Sequence, residues 1–368
     1  MQTYKESLKK ALFILLLFFF AAVPAIFRQS DLQAPEFPLK ELVAEKKVTA
    51  PAKEAVLIPQ THKYPGSKAS DSVNDQAQAM QQKIYDILSS LSPKTFVMVE
   101  GELYGEVAKE KIEKLSSLMS LRDNFKTVSE KLLQILDQEG ASPEELKKLS
   151  QDCKEFLAAL DREVILSGAA HVLKAEGGNF KLIGSENETT QKESAEIVRN
   201  YIYLKDRKEQ LAGSKPLALS EKFGSLNSLL GSLGEKDDIA IDIKIVSSYA
   251  STCPNPELKK VSSELSSIYN SIKNLQEKPV SSSAPKRIEN PFGKITSVQK
   301  INSLLRETEE QINQVVIEKR NKEAAENFVR TLEEQGVSSG IIQYGSGHEE
   351  GLVKELESLG VSAKVIKP

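Results

Sequence analysis

His62, His171 and His348 are the only three histidines in the chain, and two of them follow an apolar run that reads as a β-strand. His348 closes the turn Gly345-Ser346-Gly347-His348, between a run starting at Ser339 and the helical pattern of Glu349 to Leu359; Gly360 and a last strand, Val361 to Ile366, complete the unit. Gly345 and Gly347 let the backbone turn sharply where a strand ends. In open α/β sheets that C-terminal edge is where ligands bind. His62 follows the run Glu54 to Ile58, Glu100 and Glu102 follow Thr95 to Val99, and Glu186 follows Phe180 to Ile183. If these strands are parallel neighbours, two imidazoles and two or three carboxylates share one edge. That donor set suits a borderline divalent ion, zinc, manganese or cobalt. Such an ion lowers the pKa of bound water toward ~7, and a glutamate beside it can act as general base. His62, His348 and Glu100 are therefore the expected catalytic and metal-binding residues, with Glu102, Glu186 and His171 as further candidate ligands. The plainer reading is that each histidine is a hydrogen-bonded structural residue, and that Glu100 and Glu102 are solvated or cap a helix beginning near Glu106.

Other chemistries are excluded. The run Gly345 to Gly351 loosely matches a phosphate-cradling turn. Glu349 and Glu350 would repel a phosphate there, and a single following strand is too little for a dinucleotide fold. There is no G-x-S-x-G elbow for a serine triad. Cys153 and Cys253 have no histidine nearby in sequence; they are either a disulfide or two separate small buried residues.

The elements that must position these side chains alternate. The strand Glu54 to Ile58 leads through a polar loop, Lys63 to Val73, into an amphipathic helix from Asn74 to Leu91, with Ala77, Met80, Ile84, Ile87, Leu88 and Leu91 at helical spacing. With Thr95 to Val99 this makes a βαβ unit of parallel strands. Helix is expected from Glu106 to Ala159, broken near Gly140 and restarted at Ser142-Pro143-Glu144-Glu145 by a capping box with proline in the first turn. Val164 to Ala175 carries His171, and Phe180 to Ile183 is the third strand. Glu188 to Asn274 is mostly helical, with an apolar run at Ile239 to Val246. Pro279 to Pro291 is a Ser/Pro loop, and Thr296 to Gln335 reads as one charged helix or two in series, C-capped by Gly336.

The bulk numbers narrow the partners. A net charge of −3, with lysines interleaved among glutamates, offers no basic field for nucleic acid. An aromatic content of 6% without tryptophan argues against binding by stacking. At the N-terminus, Lys5, Lys9 and Lys10 precede an apolar run from Ala11 to Ala22, and Val23-Pro24-Ala25 offers a signal-peptidase site. Cleaved signal or retained anchor, both put the rest of the chain outside the cytoplasm. Residues 1–27 are thus a signal peptide or membrane anchor, 28–53 a proline-bearing linker, and 54–368 an α/β domain. The domain has a mostly parallel sheet, flanking helices and helical insertions at about 106–160 and 188–278.

With these residues in hand, the chain resembles the superfamily that joins the Tiki/TraB proteins, the erythromycin esterases and the ChaN-type haem-binding proteins. The residues that carry the resemblance are Gly345-Ser346-Gly347-His348, preceded by Glu318-Lys319-Arg320-Asn321 opening a helix and followed by Gly351-Leu352 and a closing Leu-x-x-x-Gly-x-x-x-x-Val. Pro59-Gln60-Thr61-His62 stands where the family has a second G-x-x-H turn, with proline in place of its glycine, and Glu100 matches the family's strand-end glutamate. The resemblance implies an exported metal-dependent hydrolase of a peptide or ester. Its alternative is a haem or iron carrier in which Tyr344, Gly345 and Gly347 bind the cofactor, with Tyr64 beside His62. A third reading is a scaffold whose first turn Pro59 has spoiled.

Overall fold

The computed structural model describes residues 52–63, 72–211, 238–277, 292, 295 and 297–368. The export segment, the linker up to residue 51, Tyr64, residues 212–237 of the expected helical stretch and the whole Ser/Pro loop lie outside these residues. Among the described residues no helix is long and apolar enough to cross a membrane.

Six strands form one sheet: β1 (Lys53–Gln60), β2 (Phe96–Leu103), β3 (Gly105–Glu106), β4 (Lys181–Glu186), β5 (Ser339–Gly345) and β6 (Val361–Val365), in the order β3-β4-β2-β5-β1-β6. Every pairing is parallel except the short β3, which runs antiparallel to β4. The fold is thus α/β with a mostly parallel sheet and flanking helices. β1 and β2 are parallel as expected, but they are not neighbours, because β5 enters between them. A strand from the C-terminal end of the chain thereby sits at the centre of the sheet, where both its faces are buried. That explains the continuous apolar run of Ile341 and Ile342.

Alternation along the strands sends side chains to two layers. One face carries Ala55, Leu57, Phe96, Met98, Ile183, Ile342 and Tyr344, packed under α9 (Arg320–Gln335) and α10 (Glu349–Ser358). On α9 the buried residues Asn321, Ala324, Ala325, Phe328, Thr331 and Leu332 recur every three or four positions, giving the apolar stripe that covers the sheet. The other face, with Ile58, Val97, Val99, Leu182 and Ile341, is covered by α1 (Asp75–Leu91) and the short α4 (Ala169–Ala175). The helical insertions form their own cores. α2 (Lys109–Gln138), α3 (Pro143–Leu166), α6 (Asp238–Thr252) and α7 (Pro256–Glu277) pack into a bundle, and α5 (Glu188–Leu211) packs on α8 (Val298–Gln311).

Local signals set the helix ends. Ser142 and Glu145 make the reciprocal capping box, with Pro143 in the first turn. Helix runs on to Leu166, so Val164 belongs to α3, and His171 stands in the separate helix α4. The apolar run Ile239 to Val246 is helix α6. Between α8 and α9 the chain stays helical but widens to π geometry over Ile312–Lys319, and Gly336 ends the run at φ +64°.

Cys153 and Cys253 are both free and both buried in the bundle core. Burial pushes the Cys153 thiol up to about 12. Both thiols should therefore resist alkylation in the native protein and react only after denaturation without reductant; a non-reduced chain that stays unreactive when unfolded would reveal a bridge instead. A second expectation concerns Gly184, where a Cβ would meet the Leu103 carbonyl oxygen at 1.9 Å and that of Glu102 at 2.6 Å. Backbone cannot yield there as a flexible side chain would. Gly184→Ala should cost roughly 1–3 kcal/mol, read as a lowered urea midpoint.

Candidate functional site

The sheet order places four consecutive parallel strands, β4, β2, β5 and β1, with their C-terminal ends on one edge. In that order they bring Glu186, Glu100, His348 and His62 to that edge.

Glu100 is the centre. It continues the alternation of Phe96 and Met98, so it faces α9, and its side chain is only 9% exposed. Its Oε2 accepts from His62 Nε2 at 2.8 Å and from the Gly345 N–H at 2.6 Å, while Oε1 accepts from Arg320 at 2.8 Å. Burial by itself would raise the Glu100 carboxyl, but the charges of His62 and Arg320 outweigh it and hold the group well below the usual carboxylate range. The Gly345 amide can come this close only because its residue lacks a side chain: a Cβ would lie 2.8 Å from Glu100 Oε2.

Arg320 opens α9 directly after the π segment and is a salt-bridge partner of both Glu100 and Glu186. Glu186 also accepts from the Gly101 N–H at 2.8 Å. His348 lies in the turn Ser346–His348, which contains Gly347, and its Nδ1 is 2.7 Å from Asn321 Oδ1, the residue after Arg320. With Nδ1–H donating there, Nε2 faces Glu100 Oε1 at 3.8 Å. Burial is the main reason that the His348 imidazole is held down to about 4, and Glu100 only partly offsets it. The ring stands edge-on to Tyr344 at 4.9 Å between centroids.

Glu102 and His171 go elsewhere. Gly101 adopts φ +86°, and the register of β2 on β4 shifts between Val99 and Leu103. This bulge breaks the alternation and aims Glu102 away from Glu100. Glu102 pairs with His171 at 3.2 Å and with Lys111. A second carboxylate–imidazole pair thus forms against α4, apart from the Glu100 cluster. Burial lowers the His171 imidazole.

Pro59 does no damage to the first turn. Leu57 C=O bonds the Ile366 N–H at 2.9 Å on the β6 side, and two residues on, Pro59 faces that same side, where β6 has ended at Val365. The missing N–H therefore costs no ladder bond.

His62 is 32% exposed at its side chain, the open member of the cluster. With Nε2–H donated to Glu100, the ring's Nδ1 lone pair has no partner among the described residues. Gln60 Nε2 lies 3.2 Å from the same ring nitrogen, but a carboxylate at hydrogen-bond distance is the stronger determinant of where the proton sits.

The arrangement does not fit the metal expected from the sequence, and it closes two of the candidate haem ligands. A metal ion needs lone pairs converging on one point. Here Glu100 already accepts three N–H groups, and the Arg320 guanidinium holds the position between the carboxylates that a cation would take. Among the described residues no group of three or more His, Cys, Asp or Glu is disposed to hold a metal. Of the candidate axial haem ligands, Tyr344 is 1% and His348 4% exposed, and burial keeps the Tyr344 phenol protonated, which leaves the open His62 as the one such candidate among the described residues.

Sequence reasoning placed Glu100, His62, His348 and Glu186 together but did not name Arg320 or Asn321 as site residues. The available signal was their place, an arginine and asparagine opening an otherwise amphipathic helix whose first turn meets the glycine turn. The chain matches no protein-family model, no curated protein and no solved structure.

These charges make stability depend on pH. An unfolded histidine takes its proton near 6.5 and folded His348 only near 4, so between those values the unfolded state binds more protons and stability falls as pH falls. Glu100, depressed in the folded state, adds loss in the same direction below its ordinary value of 4.5. From pH 7 to pH 4.5 the His348 contribution should be on the order of 2 kcal/mol. Urea unfolding at the two pH values should show the difference, and His348→Gln should remove that part of it.

Proposed function

We propose that the protein hydrolyses an ester or peptide at this edge, using His62 as general base and water as nucleophile. One observation carries the reading: a partly exposed imidazole bonded through Nε2 to a buried, ionised carboxylate at 2.8 Å, with its other nitrogen unpartnered among the described residues. A carboxylate so placed selects the tautomer and stabilises the imidazolium that forms during proton transfer. Glu100 is in turn fixed by Gly345 and Arg320, so the pair keeps its geometry without substrate.

In the reaction His62 Nδ1 takes a proton from water as the water oxygen bonds the carbonyl carbon. Collapse of the tetrahedral adduct breaks the bond to the leaving oxygen or nitrogen, which receives the proton back from His62. No residue is consumed and no redox partner is needed.

The resemblance to the Tiki/TraB, erythromycin esterase and ChaN superfamily supports hydrolysis, since the quoted turns and glutamate fall at this cluster. Arg320 within the donor set favours an ester-hydrolase chemistry that runs without metal over the metal-dependent one. The pattern of lysines and apolar residues at the N-terminus supports export, with the domain outside the cytoplasm, free or held by that segment.

Turnover of a panel of p-nitrophenyl esters and peptide anilides by the full chain tests this. The expected result is activity that survives EDTA and falls at least ~100-fold in His62→Ala and Glu100→Gln. Equal activity in wild type and both variants would sink the proposal; loss with EDTA and recovery with manganese, cobalt or zinc would replace it by the metal-dependent reaction.

A further inference from the structure

On the face of the sheet opposite α9, three glutamines are buried together: Gln60 at the end of β1, Gln81 on α1 and Gln343 on β5, at 4%, 2% and 1% exposure. Amides in a core are costly unless every atom is bonded. Here the bonding closes. Gln60 Oε1 accepts from Gln343 Nε2 at 2.6 Å and from Gln81 Nε2 at 3.1 Å. Gln81 Nε2 also donates to the Thr61 carbonyl at 3.0 Å, and Gln81 Oε1 accepts from Gln343 Nε2 at 3.1 Å and the Ala169 N–H at 2.9 Å. Gln343 Oε1 accepts from the Ala170 N–H at 3.2 Å. Three apolar side chains would fill this space without such a requirement, so the network calls for a reason beyond packing.

The reason lies at its outer end. Because the Gln60 oxygen is committed inward to two amides, its NH2 must face outward, and it meets His62 Nε2 at 3.2 Å. Gln81 meanwhile grips the carbonyl of Thr61, the residue before His62. We propose that Gln60, Gln81 and Gln343 are positioning residues: they lock the chain on either side of Thr61 and close off every direction but Glu100 for the His62 ring. The consequence for catalysis rests on the hydrolase reading above; the positioning itself does not. With the triad intact, the Gln60 NH2, itself a donor, offers His62 no acceptor, so an Nε2–H can be received by Glu100 alone. Without Gln81, Gln60 can rotate its oxygen toward the ring, and Glu100 then competes with an amide oxygen for the same proton.

Imidazole nitrogen-15 spectra of the full chain in mild detergent test this directly, since only three histidines contribute. In wild type at neutral pH, His62 should show a single tautomer protonated at Nε2, and His348 one protonated at Nδ1 through Asn321. Gln81→Met, which keeps the shape, should leave His62 protonated at Nε2 but shift its Nε2–H resonance, because that proton is then shared between Glu100 and the Gln60 oxygen, while His348 stays unchanged. An unchanged His62 in the folded variant overturns the proposal, as does an equal disturbance of all three histidines, which would mark a merely structural role. Should Gln81→Met fail to fold, Gln60→Met is read by the same two signals. Where an ester is turned over, Gln81→Met should lower kcat about tenfold to a hundredfold with KM within about twofold; a change in KM alone would count against positioning. If wild type hydrolyses none of the esters, the hydrolase reading fails while the spectra still decide the role of the triad.

Discussion

A carboxylate kept ionised inside a protein must be compensated on nearly every lone pair, and Glu100 imposes that demand on the whole molecule. Its partners come from far along the chain: His62 beyond β1, Gly345 at the end of β5, Arg320 at the start of α9. Meeting the demand fixes how β1, β2, β5 and α9 sit at the C-terminal edge. The same demand explains two sequence features that look unrelated, the missing side chain at Gly345 and the guanidinium at Arg320. A single guanidinium nitrogen, Nη2, meets both Glu100 and Glu186 and so draws the two carboxylates to one point.

The bulge at Gly101 then divides the acidic residues between two tasks. Glu100 and Glu102 are two positions apart and in a regular strand would share a face. A left-handed glycine between them turns Glu102 to the other side of the sheet, where His171 and Lys111 hold it. One pair sits beside the exposed His62; the other anchors α4 and the start of α2. Separating them lowers the repulsion that two carboxylates in one site would suffer, and leaves Glu100 without a like charge competing for His62.

Around this polar edge the remaining fold is ordinary packing. α9 and α10 cover one face, α1 and α4 the other, and the inserted helices satisfy their own apolar stripes in a separate bundle. The bundle joins the sheet through those covering helices: Val172 of α4 is buried in the bundle core and Tyr85 of α1 packs against both cores. The long helical run from Val298 to Gln335 ties the sheet to the smaller α5–α8 core: its first half packs on α5, its second half on the sheet, and the π stretch between them sets the rotation at which Arg320 and Asn321 meet the turn at Gly345.

Periodicity and turn chemistry were enough to give β1, β2, β4, β5 and β6, the amphipathic helix at α1, the capping box at Ser142, the C-cap at Gly336 and the α/β class, because each depends on residues within a few positions of one another. The short β3 was missed, and Glu106, expected to open a helix, lies in it while α2 starts at Lys109. Parallel strands follow from the helices between them, and with them the expectation that His62, Glu100, Glu186 and His348 share an edge. Tertiary structure decided what that edge is made of. The insertion of β5 between β1 and β2, the bulge that sends Glu102 and His171 away, and the arrival of Arg320 among the carboxylates all depend on contacts between residues far apart in the chain, 69 positions for Glu102 with His171 and 220 for Glu100 with Arg320. Nothing local in the sequence encodes them. The buried glutamines were illegible for the same reason: Gln60, Gln81 and Gln343 read singly as polar surface residues, and only the stacking of three elements around one point makes them a closed hydrogen-bond network. Residue types set which chemistry was conceivable. Which groups face one another, and so which of those chemistries the site can perform, was set by the satisfaction of buried charge across the assembled sheet.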